Sequence, residues 1–185
     1  MTEARRKATY EDLLKLPDHV VGEIVNGELV VSPRPAARHA KSATRMAASL
    51  RDFDGDEPPG GWWLLLEPEL HFDEDVVVPD LAGWRRERMP EMPDVPAFTL
   101  APDWICEVLS PRNTRHDRIA KMEVYLREEV GHAWLVDPIA ETLEVYRRHG
   151  GAWLQIGRHA GDAKVRAEPF EVEEIDIGRW WLRAR

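Results

Sequence analysis

Residues 102–138 read PDWICEVLSPRNTRHDRIAKMEVYLREEVGHAWLVDP, and how this stretch is parsed decides the fold. Its first part, DWICEVLS, is an apolar run broken by one carboxylate, the pattern of a strand buried on both faces. Two-residue alternation puts Glu107 with Ile105 and Leu109 on one face, and Trp104, Cys106 and Val108 on the other. Thr114 and Asp117 have the spacing of a helix-starting cap, with Asp in place of the usual Glu or Gln. The helix is expected to run to about Glu129, with Ile119, Met122, Tyr125, Leu126 and Val130 on its apolar face and Gly131 ending it. HAWLVDP is then a second strand. The unit is strand, helix, strand.

Downstream, TLEVYRR and AWLQIGR form a hairpin around His149-Gly150-Gly151. Upstream, residues 87–102 hold Pro90, Pro93, Pro96 and Pro102 and read as a surface loop. Strands are expected at 62–66, 69–72 and 77–84, preceded by the loop DFDGDEPPGG. Residues 36–51 read as a helix with Ala40, Ala43, Met46, Ala47 and Leu50 on one side. Arg34, Arg38, Lys41 and Arg45 recur on its other side, as a solvated face or a phosphate track. EIVNGELVVSP is a hairpin, because Asn26-Gly27 supplies the positive φ angles of a type I′ turn. A short helix over residues 8–16 stops at Pro17. The resulting class is α/β (α+β), with a mixed sheet and more strands than helices.

At 185 residues, 43% of them hydrophobic and 32% charged, the chain suits a single domain spanning 1–185. Eight Trp residues suit sheets covered by large side chains, and the Trp180-Trp181 pair fits either a core or a partner surface. Cys106 is the single cysteine, so neither an intrachain disulfide nor a Cys-rich zinc site can form. MTEARRKATYEDLL lacks an apolar signal core, and no apolar run approaches the roughly 20 residues of a membrane span. The expectation is a cytoplasmic protein. A formal charge of −9 repels phosphates, so a nucleic-acid site needs local basic groups.

Three carboxylates stand where strand periodicity makes them awkward: Glu107 in its apolar strand, Asp80 in VVVPDLAGW and Glu23 in VGEIVNGEL. A buried carboxylate pairs, takes up a proton or binds a cation. Each has an ordinary reading as well: Asp80 as a strand-start or turn residue, Glu107 paired with an arginine such as Arg118, and Glu23 as a surface or salt-bridge residue. If they converge, a divalent ion removes their repulsion, and oxygen ligands suit Mg²⁺ or Mn²⁺.

The ordered series TYEDLLKLP, GEIVNGELVVSP, a helix containing His39, VVPDLAGW, PDWICEVLSP, RHDRIAKMEVYLREEVGHAWLVDP and LEVYRR resembles the Uma-two family of the PD-(D/E)XK nuclease superfamily, over about residues 8–157. The resemblance implies a restriction-endonuclease-like mixed β-sheet flanked by helices, with a metal site on adjacent central strands. It implies Asp80 and Glu107 as metal ligands and Glu23 as the additional glutamate that joins the site. The superfamily's usual lysine position is Leu109 here, and the resemblance implies that Lys121, on the following helix, substitutes for it. Lys121 lies about 40° from Tyr125 at 100° per residue, at the border of the apolar face. It is either a group that assists the attacking water or a surface lysine, and Tyr125 is read as packing.

The leading expectation is hydrolysis of DNA phosphodiester bonds by a Mg²⁺-activated water, with Asp80, Glu107, Glu23 and Lys121 as site residues. Two other classes compete: a nuclease fold that has lost activity and only binds DNA or protein, and a metal-dependent hydrolase of a smaller phosphate compound. Arg85, Arg86 and Arg88 follow Asp80, and Arg112, Arg115 and Arg118 follow Glu107, as candidates for positioning phosphates. A homodimer is expected by analogy, because cutting two strands favours two sites. His39 is read as a surface histidine that could line the site.

Overall fold

The computed structural model describes residues 6–111 and 116–183, with all of their side chains except those of residues 116 and 117. Thr114, Arg112 and Arg115 lie outside the described residues.

Helix α1 (Tyr10–Leu14) is shorter than the expected 8–16; the Asp12 carboxylate accepts the Thr9 N–H at 2.9 Å, fixing its start. Strands β1 (Val20–Val25) and β2 (Glu28–Pro33) pair around Asn26 and Gly27, whose φ angles are 53° and 77°. Helix α2 (Ala37–Leu50) buries Ala43, Met46 and Leu50, together with Ser42, while Ala40 is exposed. Strands β3 (Trp62–Leu66), β4 (Leu70–Phe72), β5 (Asp75–Val77) and β6 (Leu81–Arg85) follow. The single strand expected at 77–84 is therefore two. Pro79 has no N–H for a ladder, and the chain leaves one sheet and enters another across Val78–Asp80.

Next come β7 (Trp104–Val108), a π-helical turn (His116–Lys121), α3 (Met122–Arg127) and β8 (His132–Asp137). The helix ends at Arg127, and Glu129, rather than Gly131, takes the left-handed conformation with φ 62°. β9 (Thr142–His149) and β10 (Ala152–Ala160) form the expected hairpin, followed by the short pair β11 (Lys164–Val165) and β12 (Ile175–Asp176).

The strands β10-β9-β8-β7-β6-β3 make one sheet, and β2-β1-β5-β4 make another. β7 and β8 are parallel, which a helical crossover permits; the other pairs in these two sheets are antiparallel. This is the expected mixed architecture flanked by helices. Among the described residues no helix is long and apolar enough to cross a membrane.

Alternation along β7 sorts the core. Trp104, Cys106 and Val108 pack with Met46 and Leu50 of α2, Trp134, Phe170, Trp180 and Trp181, while Ile105 and Leu109 pack with Met122, Val124 and Tyr125. The tryptophan pair thus fills the core. Trp104, Trp134 and Phe170 meet edge to face, with ring centroids 5.0 to 5.5 Å apart. Gly83 makes room for Leu64, Trp62 and Trp104: a Cβ there would lie 2.8 Å from a Leu64 methyl and 3.2 Å from the two rings. Gly83→Ala is expected to lose about 1–3 kcal/mol in urea unfolding, the usual range for an overfilled core.

Candidate active site

The β6–β7 register pairs Leu81 with Cys106, Ala82 with Ile105 and Gly83 with Trp104. Carried one step further, it sets Asp80 opposite Glu107, and opposite residues of an antiparallel pair share a face. Asp80 is held by both oxygens: Oδ2 accepts the Val108 N–H at 2.6 Å, and Oδ1 lies 3.2 Å from His39 Nε2. Glu107, 2% exposed, accepts the Tyr125 hydroxyl on Oε1 at 2.6 Å.

Glu23 reaches the same place from β1. Its Oε1 accepts the Val78 N–H at 2.8 Å. Lys121 Nζ lies 2.8 Å from Glu23 Oε1, 2.8 Å from Glu107 Oε1 and 2.9 Å from the Val78 carbonyl. Both backbone groups of Val78, in the segment where the chain changes sheets, are therefore satisfied by side chains of this cluster.

Simple helical periodicity leaves Lys121 at the edge of the apolar face, but it is 2% exposed whereas Ile119 is 52% exposed. The π-helical turn accounts for the difference, since its wider turn shifts the phase of the residues it contains. Arg118, in the same turn, does not meet Glu107; it makes a two-pronged pair with Glu144 of β9 at 2.7 and 3.2 Å, and Tyr146 donates to the same carboxylate.

Asp80, Glu107, Glu23 and Lys121 line one cleft of about 580 Å³, with His39 and the prolines 33, 35 and 111 on its walls. Three carboxylates against one ammonium leave these four groups at a formal −2. Among the described residues, no group of three or more His, Cys, Asp or Glu is arranged to hold a metal ion. The donor set is nonetheless what Mg²⁺ takes: one or two carboxylates, with waters and substrate oxygens completing the shell. Asp80 and Glu107 fit that role.

The field of the cluster is felt by its neighbours. Burial pushes the Tyr125 phenol well above its usual range, with the Glu107 charge adding, so it stays a donor to Glu107. Burial likewise pushes the Cys106 thiol well up, with Asp80 and Glu107 adding. Cys106 is accordingly expected to resist a thiol reagent in the native protein and to react fully once urea unfolds it.

Three arginines of the 34–45 stripe, read as a solvated face or a phosphate track, bond to backbone carbonyls. Arg38 and Arg45 donate to the carbonyls of Leu182 and Trp181 at 2.7 and 2.6 Å, pinning the C-terminal segment onto α2, and Arg34 donates to the Asp18 carbonyl while still lining the cleft. Arg85 and Arg86 stack on Trp62 and Trp63 at the end of β6 away from Asp80, and Arg88 pairs with Asp103 at 2.9 Å. His39 and Tyr125 are the residues that sequence reasoning undervalued. Their partners, Asp80 and Glu107, are 41 and 18 positions away, beyond any local pattern.

A family model described as "Uma2: Putative restriction endonuclease" matches residues 9–177. The chain is also similar to a crystal structure, at 1.96 Å resolution, of a "putative nuclease belonging to DUF820" from Anabaena variabilis ATCC 29413. The two share 24% identity with a TM-score of 0.73, over 94% of this chain and 97% of that one, which is a likeness of fold. No curated protein matches the chain.

Proposed function

This chain belongs to the Uma2 family, and from that premise we propose that it is a metal-dependent endonuclease hydrolysing DNA phosphodiester bonds. The observation that carries the reading is the meeting of Asp80 and Glu107 at the open ends of β6 and β7, with the Lys121 ammonium shared between Glu107 and Glu23. Asp80 and Glu107 would hold Mg²⁺ or Mn²⁺. When bound, such an ion supplies Lewis acidity, acidifying water and offsetting charge on a phosphate.

The chain's own groups do the rest. Tyr125 and the Val108 N–H orient the two ligand carboxylates by neutral hydrogen bonds. Glu23 and the Val78 carbonyl hold Lys121 beside Glu107, where its charge offsets the negative charge that builds on the phosphate. Leu109 is buried at 2% exposure, so the positive charge at Glu107 comes from the helix rather than from the strand. A homodimer would supply the two sites that a double-strand cut requires.

A second reading, a hydrolase of a smaller phosphate compound, draws support from Arg38 and Arg45, which hold the C-terminal segment instead of facing the cleft. The test is nicking of supercoiled plasmid with Mg²⁺ and with EDTA, alongside bis(p-nitrophenyl) phosphate. Metal-dependent nicking supports the endonuclease. Hydrolysis of the small ester alone favours the second reading, and inertness toward both sinks the catalytic reading.

A further inference from the structure

Lys121 is held as a bound cation would be. Its side chain is 3% exposed, and its Nζ is ringed by Glu23 Oε1 at 2.8 Å, Glu107 Oε1 at 2.8 Å and the Val78 carbonyl at 2.9 Å. An ammonium carries three donors, and these are three acceptors. Each of the two carboxylates also has a fixed neutral donor: Tyr125 OH on Glu107 at 2.6 Å and the Val78 N–H on Glu23 at 2.8 Å. Their oxygens are therefore aimed without Lys121. What Lys121 adds to the two carboxylates is charge.

We propose that Lys121 is a built-in counter-cation that competes with the divalent ion for Glu107, and thereby sets the metal affinity of the site. The inference rests on the metal-dependent reading above. Asp80, Glu107 and Glu23 present a formal −3, which the Lys121 charge reduces to −2 at hydrogen-bond distance from Glu107. An ion entering beside Asp80 meets a ligand oxygen that an ammonium already uses, and two cations sharing one carboxylate repel. The cluster stays neutralised enough to fold without metal, at the expense of affinity. An anionic phosphodiester arriving with the ion restores the missing negative charge, so loading of metal and of substrate are coupled.

The test is Mn²⁺ titration of the full chain without nucleic acid, reading free Mn²⁺ by electron paramagnetic resonance, for wild type and Lys121→Met at one pH. Loss of the competing charge is expected to tighten Mn²⁺ binding at least about tenfold, a difference of about 1.4 kcal/mol. Binding by the wild type with equal or weaker binding by the variant overturns this inference alone. Absence of binding by both overturns the metal reading, and this inference with it. A measurement on the wild type guards against a variant that fails to fold. The ¹⁵N-ammonium resonance of Lys121, assigned by its loss in Lys121→Arg, is expected to shift or broaden as Mg²⁺ saturates the site. A resonance unmoved at saturation overturns the competition.

Discussion

Glu107→Gln is expected to lower the rate of plasmid nicking at least about 10³-fold, equivalent to about 4 kcal/mol of lost transition-state stabilisation. Glutamine keeps the volume, and its amide oxygen still accepts from Tyr125 and Lys121 in place of Oε1. What disappears is one negative charge among Asp80, Glu23 and Glu107, so the hold on a divalent ion falls with little change in shape. Urea unfolding in EDTA separates the two effects. The variant should be as stable as the wild type or slightly more so, because a buried carboxylate has become neutral while Lys121 keeps Glu23. Nicking within tenfold of wild type would remove Glu107 from the machinery.

Lys121→Met has the opposite signature. In EDTA it should lose about 3–5 kcal/mol in urea unfolding, the usual consequence of removing one partner of a buried ion pair. Glu23 and Glu107, 6% and 2% exposed, would face each other without the ammonium between them, and the Val78 carbonyl would lose its donor. Adding Glu107→Gln to Lys121→Met should recover part of that loss, since the second change removes one of the two stranded charges. Saturating Mn²⁺ should recover part of it in the single variant, by mass action on the folded state. A loss below about 1 kcal/mol in EDTA would mean that other donors satisfy the two carboxylates.

Much of the fold was legible because it is written in local alternation. The opposed faces of β7, Trp104, Cys106 and Val108 against Ile105, Glu107 and Leu109, are what the two sides of the large sheet use. The Asn26-Gly27 hairpin was equally readable, since a type I′ turn needs positive φ at both positions and few residue pairs tolerate it. The division of 77–84 into β5 and β6 was harder. Residues 76–84 are apolar except for Asp80, and the break is signalled only by Pro79 and that carboxylate, whose effect depends on which sheet each half joins.

The site divides along the same line. Asp80, Glu107 and Glu23 stood out as carboxylates in apolar strands, and the structure brings all three to one cleft. How deeply Lys121 sits was not readable, because periodicity arguments assume an unbroken α-helix and the π-helical turn shifts the phase. The arginines of α2 were legible as one helical face, but their partners were not. Spacing places Arg38 and Arg45 on one helical face but cannot reveal the carbonyls of Leu182 and Trp181, 144 and 136 positions away. Likewise Arg118 stood close to Glu107 in sequence, and the fold gave it Glu144 instead.

The central claim is that Asp80 and Glu107 together bind a divalent ion. Calorimetric titration of Mn²⁺ into wild type, Asp80→Ala and Glu107→Ala tests it most directly. Binding by the wild type that is lost in both folded variants is the result expected; a folded wild type that takes up no ion, or variants that bind as it does, would contradict it.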